Sequence, residues 1–268
     1  MSTLWQPRST CGPACLPATD RCARASRVRQ AARLVALLGA LLLGVALVPV
    51  LPLLNGDGRR AAARTWARAV LGALGVRLVA RGRPPAGRAL LVANHISWLD
   101  IVALMAAAPA RLVAKHEVRR WPLIGALAAA GGTIFIDRTR PRSLPATVAE
   151  VAATLRAGGL VAAFPEGTTW CGVSAGRFRP ALFQAALDAG ATVVPVSIRY
   201  GRGATTAAFL GDDSLWTSLR RVLAVPRLEV TLTATPALHP EAAATRRQLA
   251  GVAESAVRGR VSQFGLAA

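Results

Sequence analysis

The chain of 268 residues is poor in several residue types, with one tyrosine, two methionines, three histidines, four cysteines and 13 acidic residues. Only 17% of its residues are charged, whereas 53% are hydrophobic. This composition excludes an intrinsically disordered protein, because disorder requires low hydrophobicity. The mean hydropathy of +0.40 exceeds what a water-soluble enzyme needs, so we expect contact with a membrane. The length suits one domain of ordinary size with a terminal extension.

Acidic residues are scarce relative to basic ones, since 33 Lys and Arg residues stand against 13 Asp and Glu residues and give a net charge of +20. Such a charge indicates anionic partners: phospholipid headgroups, phosphorylated substrates or nucleic acid. Lys115 is the single lysine, so nearly all of the basic residues are arginine. An arginine- and alanine-rich composition also results from a GC-rich genome, which explains part of the charge without any ligand.

The cysteines form no recognisable metal-binding pattern. Cys11, Cys15 and Cys22 lie in a polar N-terminal stretch, and Cys171 stands alone. No histidine lies near the first three, and their spacing fits no zinc motif. We therefore predict no metal site and expect reduced thiols, which suit a cytosolic environment.

One long uncharged run is present, from Leu34 to Leu54. As a single helix it would extend about 32 Å, enough to cross a bilayer. Pro49 and Pro52 interrupt that helix, and the unbroken part up to Val48 extends only about 22 Å. The run is too long for the apolar part of a cleaved signal peptide. Two interpretations stay open: a single-pass anchor, or a kinked helix embedded in one leaflet.

The residues on both sides of this run are basic. Residues 1–33 contain six arginines and one acid, Asp20, and predict a disordered tail. Further arginines and no acid lie between residues 59 and 88. The positive-inside rule therefore favours the cytoplasmic side for both flanks. Positive charge concentrated beside an apolar segment favours anionic lipid over nucleic acid as the partner.

From about residue 75, short apolar runs alternate with Ala/Leu-rich stretches, a pattern typical of an α/β fold. The predicted strands are Arg77–Ala80, Ala89–Ala93, Arg111–Ala114, Thr133–Ile136, Leu160–Ala163, Val193–Ile198 and Leu228–Thr233. The predicted helices are Leu99–Ala107, Pro122–Ala130, Ser143–Ala157, Arg179–Ala189 and Glu241–Arg258. We predict a mixed, largely parallel sheet flanked by helices. It forms a domain over 75–268, after the tail 1–33 and a membrane segment with a following helix over 34–74.

Ligands of such sheets bind near the carboxyl ends of the strands, and His95 and Asp100 follow the strand Ala89–Ala93. Histidine is well suited to accept a proton near neutral pH, and aspartate can hold the imidazole in one tautomer. On one regular helix the two side chains would lie roughly 140° apart, so they meet only if His95 lies in the turn. Ser97, three residues before Asp100, resembles a capping box that would supply this turn. The alternative is that Asp100 only caps the helix.

Three other strand ends carry polar residues. Arg138 follows the strand Thr133–Ile136, and arginine suits a phosphate, although a surface ion pair is the alternative. Glu166, Gly167 and Thr168 follow the next strand, where glycine allows close backbone approach and N–H and hydroxyl donors suit an anion. Lys115 follows a third strand and is interpreted either as part of a site or as part of a salt-bridged surface.

Taken in order, these residues resemble the four sequence blocks of glycerolipid acyltransferases of the 1-acylglycerol-3-phosphate acyltransferase type. His95 and Asp100 match the block of a histidine, four residues and an aspartate. The second and third blocks match Phe135–Arg138 and Phe164–Thr168, and the fourth matches Val194–Val196. Four blocks in the right order, each at a predicted strand or its end, are far more specific than any one of them.

The resemblance implies acyl transfer from acyl-CoA or acyl-carrier protein to the free hydroxyl of 1-acylglycerol-3-phosphate, which gives phosphatidic acid. His95 would be the general base and Asp100 would orient it. The acceptor would contact the remaining block residues and a nearby lysine: Arg138, Glu166, Gly167, Thr168 and Lys115. No metal or cofactor is implied beyond the acyl donor. The implied location is the cell membrane, with the catalytic domain on its cytoplasmic side.

Two alternative functions stay open. Lyso-ornithine lipid O-acyltransferases carry similar blocks but act on an acceptor that lacks the phosphate. A non-catalytic basic protein that binds a membrane surface or nucleic acid would explain the net charge of +20. It would not explain the order of the blocks, and it predicts that loss of His95 leaves function intact.

Overall fold

A computed structural model describes residues 7–16, 24–82, 85, 87–201, 204–211, 213–240 and 244–262. Its centre is a seven-stranded sheet. The strands are β1 (Val76–Arg81), β2 (Ala89–Ala93), β3 (Arg111–Lys115), β4 (Ile134–Ile136), β5 (Leu160–Ala163), β6 (Thr192–Tyr200) and β7 (Leu228–Ala234). All seven predicted strands are therefore present, with small shifts at their ends.

The strand order in the sheet is β1-β7-β6-β2-β5-β3-β4. The five strands from β2 to β6 run parallel to one another. At one side β7 pairs antiparallel with β6 and parallel with β1. The mixed, largely parallel sheet is thus confirmed, and the carboxyl ends of the five parallel strands lie along one edge.

Helices cover both faces of this sheet. They are α1 (Arg27–Leu47), α2 (Gly56–Leu74), α3 (Leu99–Ala107), α4 (Ile124–Ala130), α5 (Leu144–Arg156), α6 (Phe183–Ala189), α7 (Ala204–Ala207), α8 (Leu215–Ala224) and α9 (Arg246–Ser262). Residues of α2, α3 and α8 share one buried cluster, whereas α5, α6 and α9 share the other. The strand β2 alternates between them, because Leu91 joins the first cluster and Leu90 and Val92 join the second. Burial on both faces explains why β2 is apolar throughout.

The N-terminal part differs from its prediction. The prediction of a disordered tail over residues 1–33 is wrong for residues 27–33, which begin α1, and for residues 7–16, which contain the turn Pro13–Cys15 and the buried Cys11. Residues 1–6 and 17–23 of that tail lie outside the described residues. The predicted interruption near Pro49 is present, since α1 ends at Leu47 and a 3₁₀ turn, Val48–Leu53, follows.

Among the residues that the structure describes, one segment is long and apolar enough to cross a membrane, Arg27–Leu53. Only 11% of its most apolar part is buried. Many large apolar side chains are exposed on it: Val28, Val35, Leu38, Leu42, Leu43, Leu47, Val50 and Leu53. This exposed face suits association with a membrane.

The helix α1 is nevertheless attached to the domain. The Arg33 guanidinium donates to the carbonyl oxygens of Leu223, Val225 and Pro226 at 3.0, 2.7 and 2.9 Å. Trp66 of α2 donates its indole N–H to the carbonyl oxygen of Ala40 at 2.8 Å. One side of α1 therefore packs on protein while the other side is exposed.

Candidate active site

The strand β2 delivers a fixed backbone to the carboxyl edge of the sheet. The buried Asn94 side chain donates Nδ2–H to the carbonyl oxygen of Ile198 at 3.0 Å and accepts from the Ile198 N–H at 2.8 Å. These two bonds tie the end of β2 to β6. The backbone of His95, the next residue, is therefore held in a fixed position. The His95 side chain is 16% exposed.

His95 and Asp100 lie in contact, as the sequence predicts. Asp100 is fully buried in the first turn of α3. Its Oδ2 accepts from His95 Nδ1 at 2.9 Å and from the backbone N–H groups of Ile96 and Ser97 at 2.6 and 2.8 Å. Because a carboxylate only accepts, Nδ1 of the neutral ring carries the proton and Nε2 keeps the lone pair. One oxygen of Asp100 thus both holds the turn before α3 and orients the His95 ring.

The second oxygen of Asp100 contacts a residue that the sequence analysis missed. Tyr200 at the end of β6 donates its O–H to Asp100 Oδ1 at 2.6 Å. Burial raises the pKa of Tyr200 well above its usual value, and the negative charge of Asp100 acts in the same direction. The phenol therefore stays protonated and remains a donor. The available signal was the single tyrosine of the chain, two residues beyond the predicted strand of the fourth block.

Residues after β5 hold the His95 ring and backbone in place. The Phe164 ring stacks on the imidazole with centroids 4.0 Å apart and planes at 17°. The backbone N–H of Trp170 donates to the carbonyl oxygen of His95 at 2.8 Å. The imidazole is thus fixed on one face by the aromatic ring and at one edge by Asp100.

Glu166 is buried and contacts backbone on both sides. Its Oε2 accepts from the His95 N–H at 2.7 Å, and its Oε1 accepts from the Gly176 N–H at 3.0 Å. Burial raises the pKa of Glu166 to about 8, and the charge of Asp100 adds to this effect. The carboxyl group therefore joins the turn that carries His95 to the segment around Gly176.

Arg138 contacts the third sequence block, Phe164–Thr168. Its guanidinium donates to the carbonyl oxygen of Gly167, and burial lowers its pKa from the usual value. Gly167 has a φ of +75°, and a Cβ there would lie 2.6 Å from Pro7 Cγ, so both backbone conformation and space require glycine. Thr168 follows and is half-buried. The predicted phosphate residues Arg138, Gly167 and Thr168 are thus brought together.

A cavity of about 380 Å³ opens beside His95. Its walls come from the turn after β2, the loop after β5 and the helix α9, and they include His95, Glu166, Trp170, Ser174, Phe178 and Arg258. Arg258 donates to the carbonyl oxygen of Gly176 at 3.1 Å and pairs with Glu254 at 2.8 Å. Arg258 carries no signal in the sequence, because no block of the family resemblance extends to α9.

Some of the predicted substrate residues lie outside this lining. Of that set only Glu166 borders the cavity. Gly167 and Thr168 follow it in the loop after β5, and Arg138 reaches that loop from the end of β4 through its bond to Gly167. Lys115 ends β3 and places its Nζ 5.4 Å from the centre of the Trp121 ring. Lys115 therefore belongs to a separate cluster on the far side of β5.

A histidine held by a buried carboxylate, at the carboxyl edge of an α/β sheet and on the wall of a cavity, suits general-base chemistry on a hydroxyl group. A family model described as Acyltransferase matches residues 77–199. The chain is 37% identical over 255 residues to a lyso-ornithine lipid O-acyltransferase of Pseudomonas aeruginosa, covering 91% of this chain and 96% of that protein. It is 37% identical over 180 residues to a 1-acyl-sn-glycerol-3-phosphate acyltransferase of Neisseria meningitidis, covering 65% and 70% of the two chains.

The fold is also similar to a solved structure. The 1-acyl-sn-glycerophosphate acyltransferase PlsC of Thermotoga maritima superimposes with a TM-score of 0.67 and 19% identity, over 89% of this chain and 98% of that chain. The chain belongs to the acyltransferase family and is an acyltransferase enzyme. The alternative of a non-catalytic basic protein is therefore not supported.

Proposed function

We propose that the enzyme transfers a fatty acyl group from acyl-CoA or acyl-carrier protein to the free hydroxyl of 1-acylglycerol-3-phosphate. The observation that carries this proposal is the contact of His95 Nδ1 with the buried Asp100 at 2.9 Å, on the wall of a cavity of about 380 Å³. The acceptor hydroxyl binds next to the imidazole, and the product is phosphatidic acid.

The proton moves through His95 in this mechanism. Nε2 takes the proton from the acceptor hydroxyl as its oxygen attacks the thioester carbonyl. The new C–O ester bond forms, the C–S bond breaks, and the imidazolium returns its proton to the departing thiolate. Asp100 stabilises the imidazolium, while Tyr200 and two backbone N–H groups hold the carboxylate. No enzyme residue needs to be acylated.

Arg138 supports a phosphate on the acceptor. The bond to Gly167 uses one of the five N–H donors that a guanidinium offers, and arginine stays charged in proteins. A partly buried positive charge next to the Gly167 backbone suits a phosphate monoester, and Thr168, the next residue, is proposed to donate its hydroxyl. The name of the Neisseria relative agrees with this acceptor.

A lyso-ornithine lipid is the second candidate acceptor. The observation that favours it is the match to the Pseudomonas protein, which extends over 96% of that protein at 37% identity. This acceptor has no phosphate, so it would not need the charge of Arg138. The two candidates therefore make opposite predictions for a variant of Arg138.

A panel of lysolipid acceptors tests the proposal. Purified enzyme is given acyl-CoA or acyl-carrier protein with 1-acylglycerol-3-phosphate or lyso-ornithine lipid, and thiol release and lipid product are measured. We expect turnover of the phosphorylated acceptor and its loss in His95→Ala. Turnover of lyso-ornithine lipid alone would assign the second function, and unchanged activity in His95→Ala would refute the mechanism.

Arg138→Ala then tests the phosphate contact. We expect a higher KM for 1-acylglycerol-3-phosphate with a smaller change in kcat, because a charge-assisted contact to a non-reacting group is removed. Arg140→Ala is the matched control, since this arginine follows in the same loop and 81% of its side chain is exposed. An unchanged KM in Arg138→Ala would contradict the phosphate role.

The enzyme is proposed to sit on the cytoplasmic side of the membrane with α1 embedded in one leaflet. The Arg33 bonds to the α8–β7 loop and the Trp66 bond to Ala40 hold α1 along the domain. A helix held in this way presents its exposed leucines to lipid without leaving the protein. The location also brings the active site to the surface in which lysolipid and product dissolve.

A further inference from the structure

We infer that Cys11, Cys15 and Cys171 form a binding site for a thiophilic divalent cation of the zinc type. The three Sγ atoms all lie within 4.8 Å of one another. Cys11 and Cys171 are buried and Cys15 is half-buried. The sequence predicts no such site because Cys171 lies far along the chain from the other two, and the fold alone brings it to them.

The sulfur positions are close to those that a zinc ion requires. With Zn–S bonds of about 2.3 Å in tetrahedral geometry, ligand sulfurs lie about 3.8 Å apart. The sulfurs here lie within 4.8 Å of one another, so an ion would draw any pair together by about 1 Å at most. Movement of that size needs only small rotations of cysteine side chains.

A backbone turn and two backbone N–H bonds hold the cysteine sulfurs near one another. A 3₁₀ turn, Pro13–Cys15, closes with a bond from the Cys15 N–H to the Gly12 carbonyl oxygen at 2.9 Å and folds Cys15 back toward Cys11. The Cys171 N–H donates to Cys11 Sγ, and the Ser174 N–H donates to Cys171 Sγ, both at 3.4 Å. Two of the sulfurs thus accept N–H bonds, and the thiolate is the form that binds metal.

The donor set selects the class of ion. Three sulfur ligands suit soft or borderline ions such as Zn²⁺, whereas Mg²⁺ and Ca²⁺ prefer oxygen ligands. Within the described part of the chain, no histidine or carboxylate joins this group. Three protein ligands leave one position of a tetrahedral ion for water or another ligand.

The site would fasten the N-terminal segment to the catalytic domain. Cys171 directly follows Trp170, whose backbone N–H donates to the His95 carbonyl oxygen at 2.8 Å. On the other side, Pro7 packs against Gly167, the residue that contacts Arg138. An ion on the three sulfurs therefore holds the segment Pro7–Leu16 against the loop that supports the base and the proposed phosphate site.

Metal binding by the full chain, purified under argon with reductant, tests the inference. Zinc content is measured by mass spectrometry, and the metal-free protein is titrated with Cd²⁺ while the ultraviolet thiolate-to-metal charge-transfer band is followed. We expect one bound ion per chain and a saturable charge-transfer band. A wild-type protein that binds no stoichiometric Zn²⁺ or Cd²⁺ would overturn the inference.

Cysteine variants locate the ion. Cys171→Ser and Cys15→Ser should each weaken binding by more than the roughly 10–100-fold that loss of a supporting contact produces. Cys15 is half-buried, so its variant is informative even if Cys171→Ser does not fold. Cys22→Ser, which changes the cysteine outside the described residues, is the control for thiol number and should have the smaller effect. Wild-type affinity in Cys15→Ser would overturn the site.

A disulfide is the competing arrangement of the same residues. Thiols are therefore alkylated at cell lysis and counted by intact mass. The inference predicts that Cys11, Cys15 and Cys171 are all alkylated once the metal is chelated. A disulfide between any two of them in cells would overturn it.

Discussion

Four hydrogen bonds converge on Asp100, and the substitution Asp100→Asn removes its charge while keeping its shape. Three N–H donors point at Oδ2 and one O–H donor points at Oδ1. The amide oxygen of asparagine fits the first position. Its NH₂ group then faces Tyr200, whose hydroxyl can also accept. The fold and the tautomer of His95 should therefore survive, while the charge that stabilises the imidazolium in the proposed mechanism is lost.

The expected loss follows from the role of the base. General-base catalysis contributes about 10²–10⁴-fold, and at about 1.4 kcal/mol for each factor of ten this corresponds to about 3–5 kcal/mol. We expect kcat of Asp100→Asn to fall roughly 100-fold or more, with little change in the acceptor KM because Asp100 is buried behind the cavity wall. The double variant with His95→Ala should be no slower than His95→Ala alone, since the two residues act as a unit.

Thiol release from acyl-CoA measures kcat, and thermal unfolding of each variant checks the fold. Asp100→Ala is the contrasting variant, because it leaves buried donors unpaired, and each of these destabilises by about 1–3 kcal/mol. A kcat of Asp100→Asn within about threefold of wild type would refute the proposed base. So would multiplicative losses in the double variant.

Three further predictions follow from the same geometry. Tyr200→Phe leaves a carboxylate oxygen without its buried donor, so we expect about 1.5–3 kcal/mol less stability in urea unfolding. Since the pKa of Glu166 is about 8 in the fold against an ordinary 4.5, the folded protein keeps a proton that the unfolded chain releases, and stability should fall as pH rises between these values. Glu166→Gln should remove this dependence in unfolding measured across that pH range. Changing Leu42 and Leu43, 61% and 56% exposed, to serine should weaken vesicle binding roughly tenfold or more, whereas Val252→Ser on α9 should not.

The central sheet was predictable because its signals are local. The strand β2 and the helix α3 have the predicted bounds, Ala89–Ala93 and Leu99–Ala107, since an apolar run, a polar turn and a second apolar run follow one another there. His95 and Asp100 are close in sequence, so the geometry of one turn was enough to predict their contact.

The features that were missed depend on residues far apart in the chain. Tyr200 reaches Asp100 from a different strand, and Arg258 reaches the cavity from the last helix. The helix α8 was missed because it is short and its apolar positions are interrupted by two arginines, Arg220 and Arg221. No local pattern marks such contacts, since they exist only once the sheet has brought the strands together.

The order of the strands explains why four blocks are needed. Block one follows β2, block three follows β5, and block four lies on β6, so β2 has the other two as its neighbours. The contacts agree, since Asp100 bonds Tyr200 of β6 and Glu166 bonds the backbone of His95. Each of these neighbouring strands thus supplies a contact that holds His95 or Asp100 in place.

Block two is the distant one, because β4 lies at the edge of the sheet. Arg138 follows β4, and its side chain bonds Gly167 in the loop after β5. Because β3 lies between β4 and β5, this contact covers two strand spacings, or roughly 10 Å. One further spacing of roughly 5 Å separates β5 from β2 and His95. The hydroxyl and the phosphate of a glycerol phosphate are only a few bonds apart, which matches this remaining gap. At its own strand the Arg138 guanidinium would lie too far from His95, so the proposed phosphate role of Arg138 depends on its contact with Gly167.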